Sequence, residues 1–380
     1  LKTAFEFQIP THFFAMKVTC ERSYLSNALG VARRAVSARN TLPILSHVLL
    51  ETEDDRLKIT ATDLDTAIRC AIPATISENG SVAIPAAQLA DWVSKLPDAP
   101  VTLELQDGKV EGRSGKAKFN FQSAPAEDFP VVPEVSQGTE LSIPSATLKE
   151  MIRLTAFAAS KEEHKSILMG VLFEARGNSL TLVATDTHRL AWKQTQLAFE
   201  VAPPVSAIIP AKPLRELESV LKNSSEELVT IRFGSSQVQF QSDAVTLVSR
   251  VLDGQFPNYE KVIPKQTERK VKFDRNELLG AVRRIDIVSS TASQKMAVKF
   301  ADTLMTMHAE SSESGNKVYE EVAIEMDGSD LNIAFNAKYL MEVLSTLSSD
   351  QLQWELNGHL QPSILREGDD FIYIVMPMQA

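Results

Sequence analysis

The sequence predicts an α+β fold made of three tandem copies of one unit, each with two helices covering antiparallel sheet. Three observations predict it. Helical segments open at Pro85, Pro210 and Asn336, 125 and 126 residues apart. Other markers recur in the same order at nearly the same interval. The stretches between them alternate apolar and polar residues with period two, as strands with one wet face do.

The repeated helices come first. Pro85-Ala86-Ala87-Gln88-Leu89 runs on to Leu96, Pro210-Ala211-Lys212-Pro213-Leu214 to Leu221, and Asn336-Ala337-Lys338-Tyr339-Leu340 to Leu347. Apolar residues recur at three- and four-residue intervals, the mark of one buried face. Proline suits the first turn of the first two, where its missing N–H is no loss. An earlier helix in each unit is expected over residues 21–37, 145–160 and 274–289. The third opens with Asp274 and has Glu277 three residues on, a capping-box pattern. Ala61-Thr62-Asp63 and Ala184-Thr185-Asp186 lie 123 apart, each after a strand-like run, and Phe129-Pro130 and Phe256-Pro257 lie 127 apart. Val101-Thr102-Leu103-Glu104-Leu105, Val229-Thr230-Ile231-Arg232-Phe233 and Val238-Gln239-Phe240-Gln241-Ser242 read as strands. Gln106-Asp107-Gly108-Lys109 reads as a hairpin turn. The alternative is three unrelated α+β domains whose spacing coincides; four markers in one order argue against it. The expected boundaries are a poorly ordered extension over 1–15, then units at 16–136, 137–266 and 267–380.

Composition bounds what these units do. The 380 residues are 44% hydrophobic and 23% charged, ordinary for a globular chain with several cores. The net charge of −10 argues, taken alone, against nucleic-acid binding. It does not exclude acidic outer surfaces around one basic face. Two cysteines, Cys20 and Cys70, make neither a disulfide framework nor a metal cluster, and they fit buried thiols in a reducing cytoplasm. No apolar run is long enough to span a membrane. Residues 1–15 contain Glu6 and Pro10 and make a poor signal peptide.

The cations are patterned. Arg33 and Arg34 close the first helix of unit one, with Arg39 just beyond; Arg283 and Arg284 stand 250 residues later in unit three. Unit two carries Arg153, then Lys161 and Lys165. The second helices add Lys95, Lys212, Arg215, Lys222 and Lys338. Head-to-tail repeats of one design form a ring if the rotation closes, and two chains would supply six units. Helices lining such a ring would meet phosphate without reading bases.

Thr41-Leu42-Pro43-Ile44-Leu45, Ala61-Thr62-Asp63-Leu64, Ala184-Thr185-Asp186-Thr187-His188-Arg189-Leu190-Ala191, Phe256-Pro257-Asn258-Tyr259 and Val375-Met376-Pro377-Met378 together resemble the β sliding clamps of bacterial DNA polymerase III, over about residues 16–380. The resemblance implies three DNA-clamp domains forming half of a six-domain ring, a homodimer around double-stranded DNA. It implies loading by a clamp-loader complex and tethering of the replicative polymerase's catalytic subunit and of other proteins carrying a clamp-binding motif. It implies no cofactor, no metal and no catalytic residue. Carried over residue by residue, a partner-peptide groove comprises Leu168, Thr185, Thr187, His188, Arg189, Leu190, Pro257, Val262, Asn336, Tyr339, Ser363, Ile374, Val375, Met376, Pro377 and Met378. Methionine suits a surface accepting several related peptides; His188, Arg189 and Asn336 are expected to orient its polar groups. The DNA-facing set is Arg33, Arg34, Arg39, Arg153, Lys161, Lys165, Lys212, Arg215, Arg283 and Arg284. Of these, Arg39 matches a DNA-contacting family position, and the rest follow from the repeat. Thr187 stands where the family often has glycine, and Gln379-Ala380 replace an end that is often basic.

Two other readings stay open. Asp186, His188 and serines such as Ser166 and Ser363 could make a hydrolase triad, although no G-x-S-x-G elbow, H-E-x-x-H or phosphate loop is present. A repeat scaffold could bind proteins but not DNA.

Overall fold

The computed structural model describes residues 15–36, 42–290, 294–311 and 313–379. Residues 1–14, and with them nearly all of the expected extension, lie outside the described residues, as does Arg39. The chain divides into two compact units: Leu1–Glu140 with Val229–Arg250, and Leu141–Leu228 with Val251–Ala380.

Six α-helices are described: α1 Arg22–Ala32, α2 Ala86–Ser94, α3 Ser145–Thr155, α4 Ala211–Val220, α5 Arg275–Ser289 and α6 Ala337–Thr346. They pack as the repeat requires, α1 on α2, α3 on α4 and α5 on α6. Each buries one stripe at helical spacing: Leu25, Ala28, Leu29 and Ala32 on α1, and Ala337, Leu340, Val343 and Leu344 on α6. A fully buried leucine contributes about 1.5–3 kcal/mol, so these stripes rather than helix propensity hold the elements.

The helix ends differ from expectation in two ways. The first helix stops at Ala32 and tightens into a 3₁₀ turn, Arg33–Ala35, which carries both arginines. Pro85 and Pro210 sit one residue before their helices, with extended ψ of 115° and 134°, rather than in the first turn. A cap residue's own N–H is also outside the helix ladder, so proline is as harmless there. Asp274 caps α5 as its sequence predicts, its carboxylate accepting from the Glu277 N–H at 2.9 Å.

The first unit holds a five-stranded sheet ordered Thr75–Glu78, Met16–Cys20, Val101–Gln106, Lys109–Ser114, Ala117–Gln122. A second sheet there runs Gln237–Gln241, Val245–Arg250, Thr66–Pro73, Arg56–Thr62, His47–Glu53, Ser81–Pro85. Its neighbours are antiparallel. The expected hairpin is a two-residue loop, with Gln106 paired to Lys109 and with φ of 50° at Asp107 and 72° at Gly108, the doubly left-handed turn that matches strand twist. The second unit contains a ten-stranded sheet that includes Gly170–Thr185, Arg189–Pro210, Phe371–Val375, Ser363–Glu367 and Gln351–Leu356 as consecutive neighbours. Trp354 lies buried among Phe273, Phe300 and Phe335, with ring centroids 5.0–6.2 Å away.

The repeat is written into hydrogen bonds as well as element order. In the first unit the Thr62 hydroxyl donates to the Thr66 carbonyl, and Asp63 Oδ1 accepts from the Asp65 and Thr66 N–H groups. In the second unit, 123 positions on, Thr185 donates to the Arg189 carbonyl and Asp186 Oδ1 accepts from His188 and Arg189. The strand after each turn then pairs with one 180-odd residues later in the same register. Thr66 faces Ser249 and Arg69 faces Thr246; Arg189 faces Val375 and Trp192 faces Ile372. Cys20 and Cys70 are buried and unbonded, and burial pushes each thiol up to about 12.

Candidate partner groove and cation-bearing helices

The 185–189 turn is the fixed point of the candidate groove. Its two hydroxyl and carboxylate clasps hold Thr187 at φ +84°, with the Thr187 N–H donating to Thr185 Oγ1 at 3.2 Å. A left-handed β-branched residue costs about 1–2 kcal/mol relative to its relaxed conformation. Thr187→Gly is therefore expected to stabilise the second unit by about 1 kcal/mol after the added chain entropy of glycine, raising its thermal transition by about 2–4 °C. Calorimetry would show it; a lowered transition would mean that the threonine side chain makes a compensating contact.

Arg189 locks the turn from beneath. It is 5% exposed. Its Nε donates to Asp186 Oδ2 at 3.0 Å, Nη1 to Glu342 on α6, and Nη2 to the Phe157 carbonyl at 3.0 Å. The guanidinium also lies 4.4 Å from the Tyr339 ring centroid and 5.6 Å from that of Phe157. Three of its side-chain N–H groups are thus engaged within the protein, which holds Arg189 as a support of the turn. Burial opposes its charge, but Tyr373, Glu342 and Asp186 outweigh that and hold the guanidinium above its ordinary value.

The floor is apolar. Leu168, Leu172, Val183, Leu190, Ile364, Ile372 and Ile374 form one buried cluster with Ile208 and Phe256, and Trp192, Tyr259 and Ile263 pack against it. Above the floor, exposed side chains ring the surface: Thr187, His188, Pro257, Val262 (46% exposed) and Met376 (37%). The His188 ring stacks with Tyr339, 6.4 Å between centroids. Residues 376–379 extend the last strand along this rim. The Met376 N–H donates to the His188 carbonyl at 2.8 Å, and the Met378 N–H to Ala334 at 2.7 Å. The Met-Pro-Met segment thus continues the last strand beside the candidate groove turn, with Pro377 and Met378 half-buried.

Two other sequence-selected residues tie neighbouring elements together. Ser363 is fully buried, accepting from Trp354 Nε1 at 3.0 Å and donating to the Val375 carbonyl at 3.4 Å. Asn336 caps α6, its Oδ1 accepting from Lys338, while its Nδ2 donates to Gln294. Val375 is also buried, and Thr185 is 9% exposed. Of the groups that the hydrolase reading names, both Asp186 oxygens accept from His188 and Arg189, and the Ser363 hydroxyl is engaged with Trp354 and Val375. What the sequence missed is the support: Glu342, Phe157 and Tyr373 around Arg189, and Trp192, Ile364 and Ile372 in the floor. The Asp186–Arg189 spacing hinted at a local pair; the partners more than 150 positions away left no local trace.

Three family models cover the chain in order: the N-terminal domain of the DNA polymerase III beta subunit matches residues 16–133, the central domain 142–258 and the C-terminal domain 260–379. This chain belongs to the DNA polymerase III beta-subunit family, the beta sliding clamps. A beta sliding clamp of a Synechocystis strain is 34% identical, covering 96% of this chain and 99% of that protein. That of Bacillus subtilis is 31% identical over 96% of this chain and all of its own. A crystal structure of the B. subtilis clamp superposes with a TM-score of 0.90 at 30% identity, covering 96% and 99%. A Pseudomonas aeruginosa clamp bound to griselimycin gives 0.90 at 30%, covering 96% and 100%. The chain is thus an α+β protein of three beta-clamp domains.

The cations of this beta-clamp chain divide by how they are held. Arg33, Arg34, Lys161, Lys212, Arg215, Arg283 and Arg284 are exposed. Arg33 lies 3.7 Å from Asp91, and Arg284 forks onto Glu320 with two contacts of 2.7 Å. Arg215 Nη1 donates to the Ala156 carbonyl at 2.8 Å, and half-buried Arg153 to that of Thr346. Lys165 pairs with Glu162 at 2.8 Å and reaches the Asp186 carbonyl at 3.5 Å, beside the groove turn rather than on a helix. Among the described residues no His, Cys, Asp and Glu group could hold a metal ion, and no helix is long and apolar enough to cross a membrane.

Proposed function

We propose that this chain is a DNA sliding clamp, the non-catalytic processivity subunit of a replicative DNA polymerase. Two copies close head to tail into a ring of six domains around double-stranded DNA, held without sequence preference. The three domains of each copy span 16–136, 137–266 and 267–380. Arg33, Arg34, Arg39, Arg153, Lys161, Lys212, Arg215, Arg283 and Arg284, with Lys165, supply the positive charge that faces phosphate. The groove around His188, Tyr339 and Met376 takes peptides of the polymerase catalytic subunit, the clamp-loader complex and other partners. The protein works in the cytoplasm.

The observation that carries this reading is the junction that recurs. The 66–70 strand pairs with 245–249 and the 189–193 strand with 371–375 in one register, each after the same clasped turn. A head-to-tail contact that repeats within a chain can repeat between chains, and a ring is its closed form. Family membership over nearly the whole length supports the same conclusion. Exposed cations contacting phosphate through a hydrated space give weak, salt-sensitive attraction, which suits sliding.

The test is topological. Protein loaded onto nicked circular plasmid, with loader and ATP, is expected to stay bound through gel filtration and to run off once the plasmid is cut. Equal retention on circular and linear DNA would refute encirclement. No retention on either would favour the scaffold reading instead.

A further inference from the structure

The first unit contains a cavity of about 310 Å³ lined by Ala67, Arg69, Arg232, Gln239, Thr246 and the 132–136 backbone segment, among others. Strand register identifies what this cavity is. Because Thr66 faces Ser249 as Arg189 faces Val375, Ala67 corresponds to Leu190, Arg69 to Trp192, Thr246 to Ile372 and Val248 to Ile374. On the next strand, Gln239 pairs with Val248 as Ile364 pairs with Ile374. Counting on from the matched Phe129 and Phe256 places Val132 opposite Tyr259 and Ser136 opposite Ile263. The cavity is therefore the counterpart, one repeat earlier, of the partner groove's floor.

Its chemistry is inverted. Where the groove has Trp192, Ile364, Ile372 and Ile263, the cavity has Arg69, Gln239, Thr246 and Ser136. An apolar peptide side chain would leave these polar groups unpaired, at about 1–3 kcal/mol each. The arginines themselves are incompletely satisfied. Arg69 Nε is buried without a hydrogen-bond partner. Its Nη1 reaches Glu134 at a long 3.4 Å, and that carboxylate's side chain is 77% exposed. Arg232 reaches Glu140 through Nε, with the glutamate half in solvent. A loosely held surface glutamate beside a guanidinium that could accept a two-toothed carboxylate is a placeholder for one.

We propose that this cavity is a second peptide-binding site, selective for a short acidic segment whose carboxylates pair with Arg69 and Arg232 while Gln239 and Thr246 bond its backbone. The site goes beyond the groove reading and does not require it to hold.

The probe is a fluorescein-labelled Gly-Asp-Glu-Gly peptide, titrated by anisotropy against the full chain at low salt. Glu134→Gln is expected to tighten binding about threefold by vacating Arg69, and Arg69→Gln with Arg232→Gln to weaken it at least about tenfold. Arg232→Gln alone, on a residue about a third exposed, is expected to weaken it about threefold, which keeps the test independent of any folding defect in the double variant. Deleting Met376 to Ala380 should leave this binding unchanged even if it abolishes the groove. Equal affinity in wild type and Arg232→Gln would overturn the proposal. So would displacement of the peptide by inorganic phosphate at the same concentration as by free Asp-Glu, which would mark a simple anion site.

Discussion

Arg189→Met is expected to cost about 3–5 kcal/mol of the second unit's stability and to remove partner-peptide binding with it. The side chain is 4% exposed, against 13% for Asp186 and 25% for Glu342. Methionine fills similar volume but leaves two carboxylates facing each other with no cation between them. It also orphans the Phe157 carbonyl and ends the stacking on Tyr339. Because the same guanidinium clasps the turn that carries His188, the groove should lose its shape before the unit unfolds. Arg189→Lys is expected to recover only part of the loss, since one ammonium cannot reach acceptors spread around a planar fork. Urea unfolding followed by Trp fluorescence, with peptide titration alongside, measures both effects. Adding Glu342→Gln to the methionine variant should restore some stability, because it removes one of the stranded charges. A loss below about 1 kcal/mol in the single variant would mean that the cluster relaxes into solvent, and the clasp would lose its role.

The clasp also marks the limit of what a linear sequence reveals. The three-unit plan, the six helices, the Asp274 cap and the Asp107-Gly108 turn were legible because each is a local pattern: a spacing of three or four, an alternation of two, a side chain reaching three residues along. The helix ends were less so, because a 3₁₀ turn at Arg33 and a cap at Pro85 look like continued helix in one dimension. The candidate groove residues were named from family resemblance, and how each is held in the fold was not legible from it. Ser363 and Asn336 resemble surface hydrogen-bonders in the sequence. Folding brings Trp354 onto the buried Ser363 hydroxyl and Gln294 onto Asn336, which caps the helix that directly follows it. Arg189 resembles a peptide-orienting group for the same reason, since its acceptors come from three separate stretches of chain.

Symmetry and its failure explain more than either alone. The 62–66 and 185–189 turns share the threonine and aspartate clasps, though not the arginine one, and both force a non-glycine residue into positive φ, 79° at Leu64 and 84° at Thr187. A backbone shape retained at that cost in both copies belongs to the junction rather than to the groove. What distinguishes the copies is the side chains laid over the same backbone: an apolar floor in one, arginine and glutamine in the other. The junction thus supplies a common backbone, and the side chains laid over it give the two copies different chemistry.

Reversing Arg33, Arg34, Arg283 and Arg284 to Glu is expected to reduce loading onto circular DNA, and hence the amount retained, by at least about 100-fold at about 100 mM salt, and to flatten the log–log salt dependence of DNA binding by about 0.9 for each phosphate no longer neutralised. All four side chains are exposed. The exposed Arg33–Asp91 pair, at 3.7 Å, holds its arginine weakly. Arg284 is forked onto Glu320, so phosphate must compete with that carboxylate. Its reversal also sets two glutamates together, and the single variant Arg284→Gln separates the two effects. Net charge would move from −10 to −18, which alone repels DNA. The control therefore reverses four other exposed lysines, Lys109, Lys116, Lys261 and Lys265, giving the same net charge elsewhere. If both sets reduce retention equally, total charge is responsible and the helix arginines do not line the ring. If only the helix set does, the cations on the equivalent first helices of repeats one and three, offset from each other by about one turn, form the inner face that an acidic protein needs to hold an acidic polymer.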